Sequence, residues 1–387
     1  MTKNIQLDKI TCTACYACVA SCSQQCIHMQ EDKLGFLRPV IDNAACISCG
    51  KCISVCEHVK QLPEIDEEKQ QIYAAKHRSS DVKNASSSGG VFTALSDAVL
   101  EMGGVICGSV YSEHMKPIHT FAENKVERDA MRGSKYTYSL CNDLTYRRVK
   151  SFLNNGRKVL FTGTPCQVSA LKCYVGEHEN LFTVDILCHG IVAPVLYRDF
   201  VRNAEKKGKV VFIDFRRGNI NWHDPVTCIT YRNGKIVIDN SYFKMFTQNY
   251  LLRESCYKCN FASFNRISEI TIGDFWGIEN CHSEFDEADG VSVMIVNNEK
   301  GRTLLAQCHA NLELLRCTRS DCSHEQLNGL PARTQHQEFK KYYLSHGYNA
   351  AYKKFVRESW SIRIRERLYR NKLILNARNQ FAKLLGK

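Results

Sequence analysis

Short apolar runs recur along the middle of the chain, separated by stretches whose apolar residues fall at helical spacing. VICGSVY (105–111), KVLFTG (158–163), LFTVDILC (181–188), KVVFIDF (209–215), ISEITIGDF (267–275) and VSVMIV (291–296) read as strands. The near-continuous run 181–188 suits a strand buried on both faces. Helical spacing marks 91–102, QVSALKCYV (167–175) and PVLYRDFVRNAEKK (194–207). TCITYRNGKIVID (227–239) predicts a hairpin turning at Asn233-Gly234, with a type I′ turn as the expected form. Strands alternating with helices predict a mixed α/β body, a sheet covered by helices. Ahead of it, LGFLRPVIDN (34–43) reads as a short strand pair, and the polar QLPEIDEEKQQ (61–71) as a linker.

The composition of the 387 residues, 44% apolar and 24% charged, is that of an ordered globular chain of two or three domains. Of its net charge of +12, +9 lies from Tyr352 to Lys387, where eleven Lys and Arg face two Glu. The body is therefore no general polyanion binder, and nucleic acid is not an expected partner. Trp360, Ile364, Leu368, Leu375, Ala382 and Leu385 fall near helical spacing within this tail. A terminal helix docked on its own body is the first reading, and a helix on an anionic membrane surface or a partner is the second.

Cysteine changes the picture. The chain has 21, nine of them within the first 56 residues. MTKNIQLDKITC lacks the apolar core of a secretion signal, and no uncharged run approaches the length of a bilayer span. These features predict a cytoplasmic protein, peripheral at the inner membrane face if the tail binds lipid, with thiols kept reduced for metal or redox work.

CTACYACVASC (12–22) and CISCGKCISVC (46–56) share the pattern C-x2-C-x2-C-x3-C, with every cysteine shifted by 34 residues. This spacing wraps three thiolates around one four-iron cluster and sends the fourth to its twin. Cys12, Cys15, Cys18 and Cys56 are expected on one cluster, and Cys46, Cys49, Cys52 and Cys22 on the other. A zinc site has no use for a third cysteine at the same spacing. The proline that commonly follows the fourth cysteine is replaced by Ser23 and Glu57, which removes no ligand. Cys26 is a spare thiol or an alternative ligand. The predicted fold class is α+β: a bacterial-ferredoxin-like module over 1–62, a linker over 63–75, a mixed α/β body over 76–330 and a basic helical tail over 331–387.

Cys256 and Cys259 make one more C-x2-C, while Cys166 and Cys188 follow apolar strands, where ligands gather in α/β sheets. Together these four could hold a third cluster or a zinc. Cys107, Cys141, Cys173, Cys228, Cys281, Cys308, Cys317 and Cys322 read as small buried residues. No dinucleotide fingerprint and no phosphate-binding P-loop is present. SSSGGV (86–91) opens a helix and reads either as a flexible loop or as a phosphate cradle.

SSSGGV, GSKY (133–136), FTGTPCQ (161–167), DILCHG (185–190), the C-x2-C and GDFWG (273–277) occur in an order that resembles the beta-subunit family of coenzyme F-420 hydrogenases and dehydrogenases, over roughly residues 75–330. The resemblance implies a flavin-binding body with FAD and a third four-iron cluster on Cys166, Cys188, Cys256 and Cys259. It makes Ser88, Gly89, Gly90, Gly133, Ser134, Lys135 and Tyr136 flavin-binding candidates, with Thr162, Gly163 and Thr164 lining the same pocket. Asp274 and Trp276 would flank the cluster. Asp185, His189, His223 and Lys135 are candidates for proton delivery, against a structural reading of each; no catalytic residue is singled out.

The function expected is that of an iron–sulfur flavoprotein oxidoreductase. It would pass electrons between the clusters and FAD, with ferredoxin or another redox protein as partner and a small organic substrate. A deazaflavin (F-420)-dependent reductase and a non-catalytic relay subunit of a larger redox complex are the alternatives.

Overall fold

A computed structural model describes residues 12–56, 67–216, 225–286, 290–322, 324–329 and 335–356. His223 and the basic segment 357–387 lie outside the described residues.

The N-terminal module is a duplicated unit in its backbone as well as its cysteines. Left-handed residues fall at Ala14 and Tyr16 in one half and at Ser48 and Gly50 in the other, 34 positions on. Helices Ala17–Ser21 and Lys51–Ser54 start with the same offset. Three non-glycine residues in this conformation mark a loop whose shape is dictated from outside its own preferences. Strands β1 (Ile27–Glu31) and β2 (Leu37–Ile41) form an antiparallel hairpin between the halves. The segment 34–43 therefore supplies one strand, not two. Its partner lies upstream, and Asp32 closes the turn by accepting the N–H groups of Leu34 (2.9 Å) and Phe36 (3.0 Å).

The body is built on an eight-stranded sheet of β3 (Gln71–His77), β4 (Val105–Tyr111), β5 (Pro117–Ala122), β6 (Val159–Gly163), β7 (Leu181–Ile186), β11 (Ile270–Asp274), β12 (Ser292–Val296) and β13 (Leu312–Cys317). Their order is β13-β3-β12-β11-β7-β6-β4-β5. A second, three-stranded sheet joins β8 (Val210–Asp214), β9 (Cys228–Tyr231) and β10 (Ile236–Ile238). β4, β6, β7 and β11 run parallel, and β3 shares their direction because β12 is antiparallel to both β3 and β11. Five strands thus end at one edge. β3 begins inside the segment expected as linker, so the body starts at residue 71.

The helix Val91–Glu101 buries Val91, Ala94, Leu95, Ala98 and Val99, one stripe at i, i+3, i+4, i+7 and i+8, against one face of the sheet. The other face packs on Tyr146, Val149, Val168 and Leu171, and receives Ala17 and Ala20 from the N-terminal module. Module and body therefore share a core.

Two further corrections follow. Gly234 is left-handed but Asn233 is not, and Tyr231 pairs with Lys235 across a three-residue loop. The hairpin is thus a tight turn completed by a left-handed glycine, not type I′. The helix His336–Phe355 belongs to the body: Phe339, Tyr343, Tyr348 and Ala351 are buried in one core with Phe200, Phe215 and Tyr242.

Candidate functional site

Cys12, Cys15 and Cys18 from the first repeat and Cys56 from the second surround one cavity, closed by Tyr16, Met29 and Pro39. The Ala14 N–H points at Cys12 Sγ (3.4 Å), which the left-handed turn makes possible. Burial, joined by the neighbouring Cys12, Cys56 and Cys52, pushes the Cys18 thiol up to about 12. A crowd of buried thiols is costly to ionise without a cation, and metal binding deprotonates them outright.

The other four cysteines are more open. Cys49 is exposed, Cys46 half-buried, and Cys22 and Cys52 buried. Burial opposes ionisation of Cys22, but the N–H and thiol of Cys26 and the N–H groups of Gln24 and Gln25 outweigh it and hold the thiol below its ordinary value. Cys26 is buried with its sulfur 3.5 Å from that of Cys22, and Cys46 also acts on it. Sequence spacing left Cys26 as a spare thiol or an alternative ligand; the fold sets it against the second group.

In the body, the candidate residues collect at the edge where the parallel strands end. GTPCQ folds as it does because Pro165 opens the helix Pro165–Val175 and Gln167 Oε1 accepts the Thr164 N–H (3.1 Å), a reciprocal cap. Cys166 sits in that first turn, with its sulfur 3.2 Å from Thr164 Oγ1. Gly163 at the end of β6 is level with Asp185 of β7, so Cys166 and Cys188 each lie three residues beyond paired positions on neighbouring strands. Cys188 is close to Cys256 and Cys259: burial pushes its thiol up to about 12, and both neighbours add to it. The Ile191 N–H donates to Cys256 Sγ (3.3 Å). Four thiolates around one zinc would stand about 3.8 Å apart. Among the described residues no three of these twelve cysteines have sulfurs within 4.8 Å of one another. The sulfurs are thus set wider apart than a single zinc ion requires.

Of the flavin candidates, those of SSSGG and GSKY are joined to one another, and several of the set spend their polar groups on the fold. A Cβ on Gly89 would stand 2.2 Å from the Ala75 carbonyl, so only glycine lets this loop lie on β3. Gly90 is left-handed at the start of its helix. The Ser88 hydroxyl donates to Val291 O (2.9 Å), and the Gly89 N–H donates to Ser292 Oγ (3.0 Å). The Ser134 N–H donates to Ser87 Oγ (2.7 Å), which joins SSSGG to GSKY. Lys135 Nζ is held by the carbonyls of Met131, Arg132 and Gly133. Thr162 turns its hydroxyl to Cys107 O (3.2 Å).

Asp185 is fully buried beneath this edge, 3.6 Å from Arg266, and burial raises its carboxyl. The His189 ring lies tilted against Phe246, 4.7 Å between centroids, and among the described residues its buried Nε2 has no hydrogen-bond partner. Burial lowers its pKa, which keeps it neutral. Sequence reasoning missed Arg216: its Nη1 donates to Tyr136 Oη (3.1 Å) and Asp274 Oδ2 (2.8 Å), and its guanidinium lies 5.2 Å from the Trp276 ring. It missed His119 too, whose ring bridges the Thr162 carbonyl (3.0 Å) and the Ser139 hydroxyl (2.9 Å). No local motif marks either residue.

Hydrogen bonds join module and body beside the Cys12 loop. The Cys12 carbonyl accepts from Ser255 Oγ and from Arg253 Nη1, both at 3.4 Å, and the Ala14 carbonyl accepts from Tyr138 Oη (3.0 Å). Ser255 immediately precedes Cys256.

Residues 11–59 match a 4Fe-4S dicluster domain. Residues 72–145 match the N-terminal part, and 156–318 the C-terminal part, of the beta subunit of coenzyme F420 hydrogenase/dehydrogenase. Among solved structures, the chain aligns with one of the F420-reducing NiFe hydrogenase complex from Methanosarcina barkeri, a xenon derivative. The identity is 16% and the TM-score 0.45, over 66% of this chain and 83% of that one. No curated protein matches. Among the described residues no helix is long and apolar enough to cross a membrane. With both parts of the beta subunit matched over more than half its length, the chain belongs to the coenzyme F420 hydrogenase/dehydrogenase beta-subunit family and carries a 4Fe-4S dicluster domain at its N-terminal end.

Proposed function

We propose that the protein is an iron–sulfur flavoprotein oxidoreductase that exchanges electrons with a ferredoxin or similar redox protein and acts on a small organic substrate. The observation that carries this reading is the seam between Cys12 and Ser255, which sets the thiols around one module cavity against the segment bearing Cys256.

Cys46, Cys49, Cys52 and Cys22 would hold the outer cluster, with exposed Cys49 facing a docking partner. Cys12, Cys15, Cys18 and Cys56 would hold the second, and Cys166, Cys188, Cys256 and Cys259 the third. Loop 86–90 and residues 133–136 would hold FAD, with Gly90 giving its phosphates access to a helix N-terminus. When bound, clusters carry single electrons and a flavin converts them to hydride chemistry. Buried Arg253 puts a positive charge beside the Cys12 loop and favours added electrons there. His189, with its Nε2 buried and unpartnered among the described residues, would exchange a proton at this edge. The basic segment 357–387 would bring the protein to an anionic membrane face.

A deazaflavin as the donor is the second reading, favoured by the family itself. Anaerobic mixing with a chemically reduced two-cluster ferredoxin tests the first. The reading requires the chain's flavin absorbance to bleach and a Cys49→Ser variant to bleach at least tenfold more slowly. Equal rates, or bleaching by a reduced deazaflavin alone, contradict it.

A further inference from the structure

Five potential metal ligands gather far along the chain from the twelve cysteines described above. The short helix Ile278–Cys281 presents Cys281 and His282, and the turn after β13 presents Asp321; their donor atoms all lie within 4.8 Å of one another. His282 Nε2 faces Asp321 Oδ2 at 3.7 Å and is buried without a hydrogen-bond partner among the described residues. Its other nitrogen lies 3.6 Å from the Glu284 carboxylate. Asp321 is held in place from behind, since Oδ2 accepts the Thr318 N–H (2.7 Å) and hydroxyl (2.8 Å). Cys317 and Cys322 lie beneath, 5% and 3% exposed. Cys317 ends β13 and Cys322 directly follows Asp321, so both thiols belong to the segment that carries the carboxylate.

We propose that Cys281, His282 and Asp321 bind one zinc ion, with a fourth ligand drawn from the buried thiols of Cys317 and Cys322. Mixed thiolate, imidazole and carboxylate donors suit a borderline-soft ion that takes tetrahedral geometry. The three donors of Cys281, His282 and Asp321, within 4.8 Å of one another, need only a small inward movement to share an ion and are too close for a four-iron cluster; a thiol from Cys317 or Cys322 has to turn in to complete the shell. Binding displaces the thiol protons and leaves no open position, which makes the site a structural tie. It joins the segment after β11, which carries Trp276, to the end of β13. This assignment is independent of the electron-transfer reading.

The test is the zinc content of the full chain purified anaerobically, set beside its iron. About one zinc per chain is expected in the wild type. The Cys281→Ser/Asp321→Asn double variant should fall at least fivefold in zinc with iron unchanged, and Cys15→Ser should lose iron with zinc unchanged. Absence of zinc from the wild type, its retention in the double variant or its loss in Cys15→Ser overturns the site. If the double variant does not fold, zinc-edge X-ray absorption of the wild type decides. A mixed shell of sulfur and lighter donors supports the site, and an all-sulfur shell refutes it.

Discussion

Arg216 Nη1 lies 2.8 Å from Asp274 Oδ2, and this ion pair joins the small sheet to the edge of the large one. Arg216 follows β8 and Asp274 ends β11, so the contact locks together segments 58 residues apart. Because the same nitrogen reaches Tyr136, the pair also fixes the GSKY segment.

Asp274→Asn keeps the volume and removes the charge, leaving a buried guanidinium without the carboxylate that faces it. Breaking such a pair costs about 3 kcal/mol. The urea midpoint should fall accordingly, and flavin content should fall with it. An unchanged midpoint would show that the charge on Arg216 is compensated elsewhere.

Cys256→Ser and Cys259→Ser should each remove about four irons per chain, because a cluster that loses one of its thiolates at this edge is poorly retained. The N-terminal pair should remain. Iron analysis of the two variants reads the difference directly, and full iron content in both would remove the third cluster from the account.

Stability should decline as the pH falls from about 6.5 towards 4. Burial pushes both His119 and His324 down to about 4, so in this window the unfolded chain binds protons that the folded chain does not. Each contributes at most about 3 kcal/mol, fully present above its unfolded value near 6.5 and lost towards pH 4. Urea midpoints at pH 7 and 5, taken under anaerobic conditions, should differ less in His119→Gln than in the wild type. An identical slope would show that His119 takes up its proton without cost.

Chain truncation after Val356 should leave the fold intact, because the helix that buries Phe339 and Ala351 is kept whole. The truncated protein should bind anionic vesicles at least severalfold more weakly at low salt. Equal binding would move membrane association away from the tail.

Much of this was legible in the sequence, for reasons particular residues make plain. The 34-residue repeat reappears as matching left-handed turns, since the cysteine spacing and the loop that carries it are one feature. Apolar runs such as 181–188 became β7 because a strand covered on both faces leaves an unmistakable pattern. β1 escaped notice because IHMQE buries only Ile27 and shows no alternation. β3 was hidden by polar neighbours that resemble a linker. The Arg216–Asp274 pair depends on a contact between the two sheets and the Cys281 group on the strand order β13-β3-β12-β11, neither of which local spacing encodes.

Iron, acid-labile sulfide and flavin content of the anaerobically purified chain tests the central claim most directly. The account predicts about twelve irons and one FAD per chain, three four-iron clusters serving one flavin. About eight irons and no flavin would contradict it, leaving a two-cluster module fused to a body without redox chemistry of its own.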